Sequence, residues 1–232
     1  MSVLSNEAKN YRYERKFFIS EMTRYEIETL VKLNPAVFSE IYHTRFVNNL
    51  YFDSIGMKNY FDNIDGVQQR MKVRIRWYER LFGKVQKPVL EVKTRNGLIG
   101  RKTSFPLAPF TLDESFYPDM LVDVFNNSEI PGNLKTHLMN LKVSLLNSYR
   151  RKYFQSADGR FRITVDSDLE FYCVQLLKNN FLINSVDRFN SILELKYDCE
   201  NASQADLVTT HFPFRLTKSS KYINGLERLY TF

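Results

Sequence analysis

Much of this chain alternates apolar and charged residues with a period of two. The segment RMKVRIRW sets Arg70, Lys72, Arg74 and Arg76 against Met71, Val73, Ile75 and Trp77. Successive side chains of a strand point to opposite faces, so this segment predicts a strand with one apolar and one cationic face. The same pattern sets Leu90 and Val92 against Glu91, Lys93 and Arg95, and Phe161, Ile163 and Val165 against Arg160, Arg162, Thr164 and Asp166. It recurs with Leu193, Leu195 and Tyr197 against Glu194, Lys196 and Asp198, and near the start with Tyr13, Arg15 and Phe17 against Arg12, Glu14 and Lys16. A short Glu-x-Lys unit appears on these strands at Glu14/Lys16, Glu91/Lys93 and Glu194/Lys196, each pair on one strand face.

Helical periodicity is sparser. Ser20 as a cap predicts a helix from about Glu21 to Leu33, stopped by Pro35. Leu134, Leu138, Leu141 and Leu145 recur at helical spacing and predict an amphipathic helix with a core-facing stripe. Asp113–Asn127, Ser203–Phe212 and Ser220–Tyr230 are weaker helical segments, the last interrupted by Gly225. The softest stretch, Pro106–Pro118, joins a strand-rich first half to a more helical centre. With no linker or low-complexity segment, the chain reads as one domain, residues 1–232.

Composition narrows the class. With 232 residues, 44% hydrophobic and 25% charged, the chain can bury a core, which excludes disordered and collagen-like classes. Cys173 and Cys199 make neither a disulfide framework nor a zinc pattern. Met1–Asn10 is polar and lacks an apolar signal core, and no apolar run reaches the roughly 18 residues of a membrane span, so a cytoplasmic protein is expected.

The net charge of +7 matters through its distribution. Solvent faces usually mix Ser, Thr, Gln, Lys and Glu, whereas Arg dominates here, and Arg is suited to bidentate recognition of phosphate and carboxylate. The apolar faces need cover, which the amphipathic helices supply. Helices outside and charges inside predict a closed antiparallel barrel with a charged lumen. Cations outnumber carboxylates on these faces, so the balance would come from a compact polyanion: a triphosphate, a polyphosphate or a nucleic-acid backbone. Trp77 and Phe161 fall on the apolar parity, which argues against base stacking and hence against nucleic acid. Glutamates beside phosphate suit a bridging Mg²⁺ or Mn²⁺, the alternative for each being an internal salt bridge. Lys218-Ser219-Ser220-Lys221 puts lysines at a predicted helix start, against the helix dipole. His43, His137 and His211 are scattered, and no P-loop, GxGxxG or Ser/His/Asp arrangement is present. Chemistry resting on positioned cations and a metal suits phosphoryl transfer.

The segments YERKFF (13–18), VRIRWY (73–78), LEVKT (90–94), RKYFQ (151–155) with RITVD (162–166), ILELK (192–196) and KSSKYI (218–223) resemble, in order, the VTC-type polyphosphate polymerase domain of the triphosphate tunnel metalloenzyme superfamily. The resemblance spans about residues 11–230. It implies an α+β fold, an eight-stranded antiparallel β-barrel (the triphosphate tunnel) flanked by helices. It also implies synthesis of inorganic polyphosphate from ATP with a divalent metal, often Mn²⁺. The family's phosphate-binding residues match Lys16, Arg74, Arg76, Lys93, Arg151, Arg162, Lys218 and Lys221, with Arg101 or Lys102 as a further member and Lys196 on the same charged face. Arg74, Arg76, Lys218 and Lys221 are the implied catalytic cations. Glu194 matches the metal-binding glutamate, with Glu14 or Glu91 as helpers. The wider superfamily often carries ExExK on its first strand. Arg12-Tyr13-Glu14-Arg15-Lys16 keeps only the second Glu, which favours the polymerase branch. The SPX domain and membrane helices of the eukaryotic complexes are absent, so any translocation of product needs a separate membrane partner. The alternatives are a metal-dependent tri- or polyphosphatase of the same fold, and a non-catalytic module that binds polyphosphate or nucleic acid.

Overall fold

The computed structural model describes residues 12–96, 99–177, 179 and 181–230; the polar start, Met1–Asn10, lies outside them. The fold is α+β, with a large antiparallel sheet and six α-helices among the described residues. In chain order the elements are β1 (Arg12–Ile19), α1 (Arg24–Leu33), β2 (Ser39–Asp53), α2 (Lys58–Ile64), β3 (Gln69–Tyr78), β4 (Gly83–Val85), β5 (Val89–Asn96), β6 (Ile99–Pro106) and β7 (Phe110–Leu112). There follow α3 (Met120–Asn126), α4 (Gly132–Met139), β8 (Lys142–Gln155), β9 (Phe161–Tyr172), β10 (Asn184–Asp187), β11 (Ser191–Asp198), α5 (Ala202–Thr210) and α6 (Lys221–Leu229). Hydrogen bonds order the strands β1-β11-β9-β8-β2-β3-β5-β6, with β10 beside β9, and β4 pairs with β7 in a separate ribbon.

The chain forms two compact units, and β2, β8 and β9 each run through both. The first unit comprises the chain up to Arg45, Tyr149–Leu169 and Asp187–Ser219. Its core takes Phe17 and Ile19 from β1, Phe161, Ile163 and Val165 from β9, and Leu193, Leu195 and Tyr197 from β11. These are the apolar parities of the sequence, covered by Ile27 and Val31 of α1 and by Ala205 and Val208 of α5.

The start of α1 differs from expectation. The helix is capped by Thr23, not Ser20. The Thr23 side chain accepts from the Glu26 N–H, and the Glu26 carboxylate accepts from the Thr23 N–H. Ser20 has Thr23 three residues on and no carboxylate to complete such a box.

The second unit comprises Phe46–Ser148, Glu170–Val186 and the chain from Ser220. Its core joins Val73, Ile75 and Trp77 of β3 and Leu90 of β5 to Leu50 and Phe52 of β2, under Leu121, Val124 and Phe125 of α3 and Leu138 of α4. The helix expected through Leu145 ends at Met139. The Asn140 N–H caps it on the His137 and Leu138 carbonyls, and Leu145 lies in β8. The leucine spacing there spans two elements whose apolar sides happen to fall in step. The segment expected to be helical from Asp113 is helical only from Met120. The strands β2 and β8 run 15 and 14 residues and are the longest. Sequence reading did not find them as strands, because Val47–Asp53 of β2 and Leu145–Tyr149 of β8 are buried on both parities and alternation is lost.

Gly225 sits inside α6 because a side chain does not fit. A Cβ there would lie 2.5 Å from Phe171 Cδ1 and 2.6 Å from Leu145 Cδ2. Gly225→Ala is therefore expected to lower stability by about 1–3 kcal/mol, the usual cost of overpacking. That exceeds the gain of about 1 kcal/mol from better helix propensity. The midpoint of urea unfolding measures it, and a rise would contradict the packing account.

Candidate functional site

In the first unit the polar face of the sheet is organised by register. Antiparallel pairing of β1 with β11 sets Lys16 opposite Glu194 and Glu14 opposite Lys196, so the two Glu-x-Lys units interlock with alternating charge. On β9, Thr164 stands opposite Glu194 and Arg162 opposite Lys196. Lys16 Nζ lies 3.2 Å from Glu14 Oε1 and 3.2 Å from Glu194 Oε1. Lys196 Nζ is 3.3 Å from Glu194 Oε2, and Arg151 Nη2 is 3.7 Å from the same oxygen. Burial works against the charge on Lys16, but Glu194 and Glu14 outweigh it and raise the ammonium above its ordinary range.

Arg151 makes a two-pronged bond to Asp166, at 2.5 Å and 2.7 Å, with the aspartate wholly buried. Burial lowers and Asp166 raises the Arg151 guanidinium, which ends well above its usual value. Arg162 is exposed at the edge of this face. Thr164, only 6% exposed, has a buried hydroxyl with no hydrogen-bond partner among the described residues.

Lys218 is exposed, but the segment before it is held to β1. The Thr217 N–H donates to the Lys16 carbonyl at 2.8 Å, and Thr217 Oγ1 accepts from the Phe18 N–H at 2.9 Å.

In the second unit, pairing of β3 with β5 and β5 with β6 sets Arg74, Glu91 and Ser104 in one row and Lys72, Lys93 and Lys102 in the next. Glu91 is the focus. Arg74 Nη2 is 2.7 Å and Arg76 Nη1 3.6 Å from Glu91 Oε2, and Lys102 Nζ bonds Oε1. Burial pushes the Glu91 carboxyl up, but the two guanidiniums and the ammonium prevail and bring it down to about 2. The register also separates Lys102 from Arg101: Lys102 stands opposite Lys93, whereas Arg101 stands opposite Thr94 on the other face.

Arg76 Nε donates to Asn49 Oδ1 at 3.0 Å, which leaves Asn49 Nδ2 to donate to Asn147 Oδ1 at 2.9 Å. Since Arg can only donate, this chain fixes both amides and leaves the buried Asn147 Nδ2 as a donor with no acceptor among the described residues.

The start of α6 is pinned in the same unit. Tyr222 OH donates to the buried Asp53 at 2.6 Å, and Asp53 also accepts the N–H groups of Asn59 and Tyr60 in α2. The Tyr222 ring lies 5.2 Å from that of Tyr51, whose hydroxyl accepts from Arg74 at 3.3 Å. Burial and the Asp53 carboxylate raise the Tyr222 hydroxyl above its normal range, so it stays a donor. Lys221, the first residue of α6, is thereby held buried, and Lys72 Nζ reaches the Ser220 hydroxyl at 3.0 Å.

Asp166, Asn49, Asn147, Tyr51, Asp53 and Tyr222 escaped sequence reasoning as site residues. Only Asp166 carried a signal, its place on the charged parity of β9; the others lie in β2, β8 and α6, where no periodicity marked a polar face.

For a divalent cation the carboxylates differ. Glu91 and Glu194 each stand among three cations, but Glu194 also shares Lys16 with a second carboxylate, Glu14, and has the unpartnered Thr164 hydroxyl opposite it. No group of three or more His, Cys, Asp or Glu capable of holding a metal occurs among the described residues. Mg²⁺ and Mn²⁺ commonly take one or two carboxylates and complete their shell with phosphate oxygens and water, and the Glu14–Glu194 pair fits that donor set.

These elements define an α+β protein whose antiparallel strands carry cation-rich faces. Known structures share the fold. A candidate adenylate cyclase from Vibrio parahaemolyticus superposes with a TM-score of 0.52 at 12% identity, covering 91% of this chain and 95% of that one. The PH1819 protein from Pyrococcus horikoshii OT3 gives 0.51 at 11% identity, covering 94% and 99%. Comparison with curated proteins finds no match. The VTC domain model matches residues 11–230, and the chain belongs to that family, part of the triphosphate tunnel superfamily. No helix among the described residues is long and apolar enough to cross a membrane.

The depressed Glu91 carboxyl has a stability consequence. Its contribution is fully present above the ordinary value of 4.5 and is lost as pH falls toward the folded value of about 2. Glu91→Gln is expected to cost about 1–3 kcal/mol at neutral pH, discounted for the partial exposure of Arg74 and Lys102. It should also flatten the acid dependence across that window. Urea midpoints from pH about 2 to 7 check both; an unchanged acid limb would refute the account.

Proposed function

We propose that this chain is a polyphosphate polymerase that transfers the γ-phosphate of ATP to a growing polyphosphate chain. The observation that carries the reading is the excess of cations over carboxylates on strand faces of a VTC-family chain. Lys16, Arg151, Arg162 and Lys196 in the first unit, and Arg74, Arg76, Lys93 and Lys102 in the second, are assigned to phosphate oxygens. A terminal oxygen of the polyphosphate attacks the γ-phosphorus, the bond to the β–γ bridging oxygen breaks, and ADP leaves. No protein nucleophile is needed, because positioning and charge stabilisation supply most of the catalysis. Lys218 and Lys221 are assigned to orient the attacking and transferred groups and to neutralise charge as it develops, along with Arg74 and Arg76. Asp53 and Tyr222 support Lys221 by fixing the start of α6.

Glu194 and Glu14 are the residues that would hold Mn²⁺ or Mg²⁺, with Glu91 assigned instead to fixing Arg74, Arg76 and Lys102. Such an ion supplies Lewis-acid neutralisation of phosphate oxygens. The eight-stranded tunnel implied by the family, and action of residues 1–232 as a single domain, belong to the same reading; the unbroken family match supports them. ATP as substrate places the reaction in the cytoplasm, with a separate membrane partner wherever product is translocated. Trp77 and Phe161 are buried in apolar cores, which supports an inorganic chain over nucleic acid as the polymer.

The main rival is hydrolysis of tri- or polyphosphate by the same fold. Incubation with ATP and Mn²⁺ followed by gel analysis separates the two: a ladder of lengthening chains is expected, and orthophosphate without chain growth would overturn polymerisation.

Two substitutions separate the roles. Glu194→Gln is expected to abolish turnover while leaving metal-free triphosphate binding equal or tighter, since a carboxylate repels phosphate. Arg74→Ala is expected to weaken that binding by about 1.5–3 kcal/mol, the range for a charge-assisted contact. Calorimetry with and without Mn²⁺ measures both, and normal turnover by Glu194→Gln would reassign Glu194 to a structural salt bridge.

A further inference from the structure

Thr164 holds a hydroxyl that the fold itself does not use. It lies in β9 between Arg162 and Asp166 on the charged parity, while Ile163 and Val165 enter the apolar core. The residue is 6% exposed, and its Oγ1 has no hydrogen-bond partner among the described residues. A buried hydroxyl that makes no bond is destabilising, whereas an apolar side chain of the same shape is not. Valine has that shape and suits a strand equally well. The hydroxyl therefore lowers stability unless a bound group completes it.

The register shows what such a group would meet. Thr164 stands directly opposite Glu194 on β11, and Glu194 opposite Lys16 on β1, so the three form one row across the strands. Residues directly opposite each other bring their Cβ atoms to about 4.5–5.5 Å. Glu14 reaches this row from the next one, since Lys16 Nζ lies 3.2 Å from both Glu194 Oε1 and Glu14 Oε1. The two carboxylates thus already converge on one cation. Lys16 itself is assigned to phosphate oxygens, so the place it takes between them can pass to an ion.

We propose that Thr164 Oγ1 is the neutral oxygen of the divalent-cation site that Glu194 and Glu14 form. Hard divalent cations accept a Ser or Thr hydroxyl beside carboxylate and phosphate oxygens, as Mg²⁺ does in P-loop proteins. A hydroxyl adds an oxygen without adding charge, whereas a third carboxylate here would repel the phosphate that must share the ion. This inference rests on the reading of Glu194 and Glu14 as the residues that would hold Mn²⁺ or Mg²⁺, but it concerns binding and needs no chain synthesis.

The test is calorimetry of the whole chain with two probes, inorganic triphosphate in EDTA and the preformed Mn²⁺–triphosphate complex. Thr164→Val keeps the shape and removes the oxygen. Its affinity for metal-free triphosphate should stay within about twofold, while that for the complex should fall about tenfold, the scale for losing one group from the surroundings of a bound ion. Thr164→Ser keeps the hydroxyl and should restore most of the loss. Glu194→Gln is the benchmark for the site and should lose affinity for the complex alone. Without ligand, the urea midpoint of Thr164→Val should equal or exceed that of the wild type, because no bond within the fold is removed.

A lower urea midpoint for Thr164→Val would mean that the hydroxyl serves the fold, and would overturn the proposal. Equal losses for the two probes would assign the hydroxyl to phosphate and overturn it as a cation ligand. If Thr164→Val spares the complex while Glu194→Gln loses it, the ion is held without Thr164 and the proposal alone falls. If neither variant loses the complex, the assignment of the ion to Glu194 falls with it. The gel assay stands apart: binding of the complex that depends on Thr164, without chain synthesis, would sink the polymerase reading and leave the site standing.

Discussion

Two carboxylates, Glu194 and Glu91, hold together strand faces that would otherwise repel themselves. Glu194 lies among Lys16, Lys196 and Arg151 in the first unit, and Glu91 among Arg74, Arg76 and Lys102 in the second. Each is nearly buried, where removing one partner of an ion pair is far more costly than at the surface. The effect is to fix long, flexible basic side chains at defined positions on rigid strands while leaving the faces net positive. A face with that surplus is stable in its empty state only because the carboxylates are present, and it gains further from any polyanion that binds.

The opposite parity of the same strands makes this possible. Val73, Ile75 and Trp77 in one unit and Ile163, Val165, Leu193 and Leu195 in the other are almost completely buried against helices and neighbouring strands. A one-residue slip in register would turn every one of these outward and every cation inward, so the core that stabilises each unit also enforces the position of its charges. Burial of apolar side chains and placement of phosphate-binding cations are thus one constraint acting on two faces.

Further buried side chains complete the positioning. The buried pair Asn49 and Asn147 orients Arg76, and the pair Tyr222 and Asp53 anchors the start of α6, where Lys221 stands beside Ser220. The buried amide of Asn147 and the hydroxyl of Thr164 are left with unused hydrogen-bonding capacity, a cost that structures usually accept only where another group completes the bond. Each shares parity with a cation of its own strand, Arg151 four residues beyond Asn147 and Arg162 two before Thr164.

What the sequence determined by itself was parity. Alternation along Arg70–Trp77, Leu90–Arg95, Phe161–Asp166 and Leu193–Asp198 told which side chains share a face, because that alternation is intrinsic to an extended backbone and needs no partner. Order and spacing of the short motifs were enough to indicate the family. Register was decided only in the tertiary structure, since it depends on hydrogen bonds and core fit between segments far apart in the chain. That is why Lys16 meeting Glu194, the lysine row Lys72–Lys93–Lys102, and the choice of Lys102 over Arg101 could not be read beforehand. The same holds for β2 and β8: buried on both parities over Val47–Asp53 and Leu145–Tyr149, they carry no alternating signal there, and their polar residues, Asn49, Asp53 and Asn147, acquire a role only from the strands and helices packed around them.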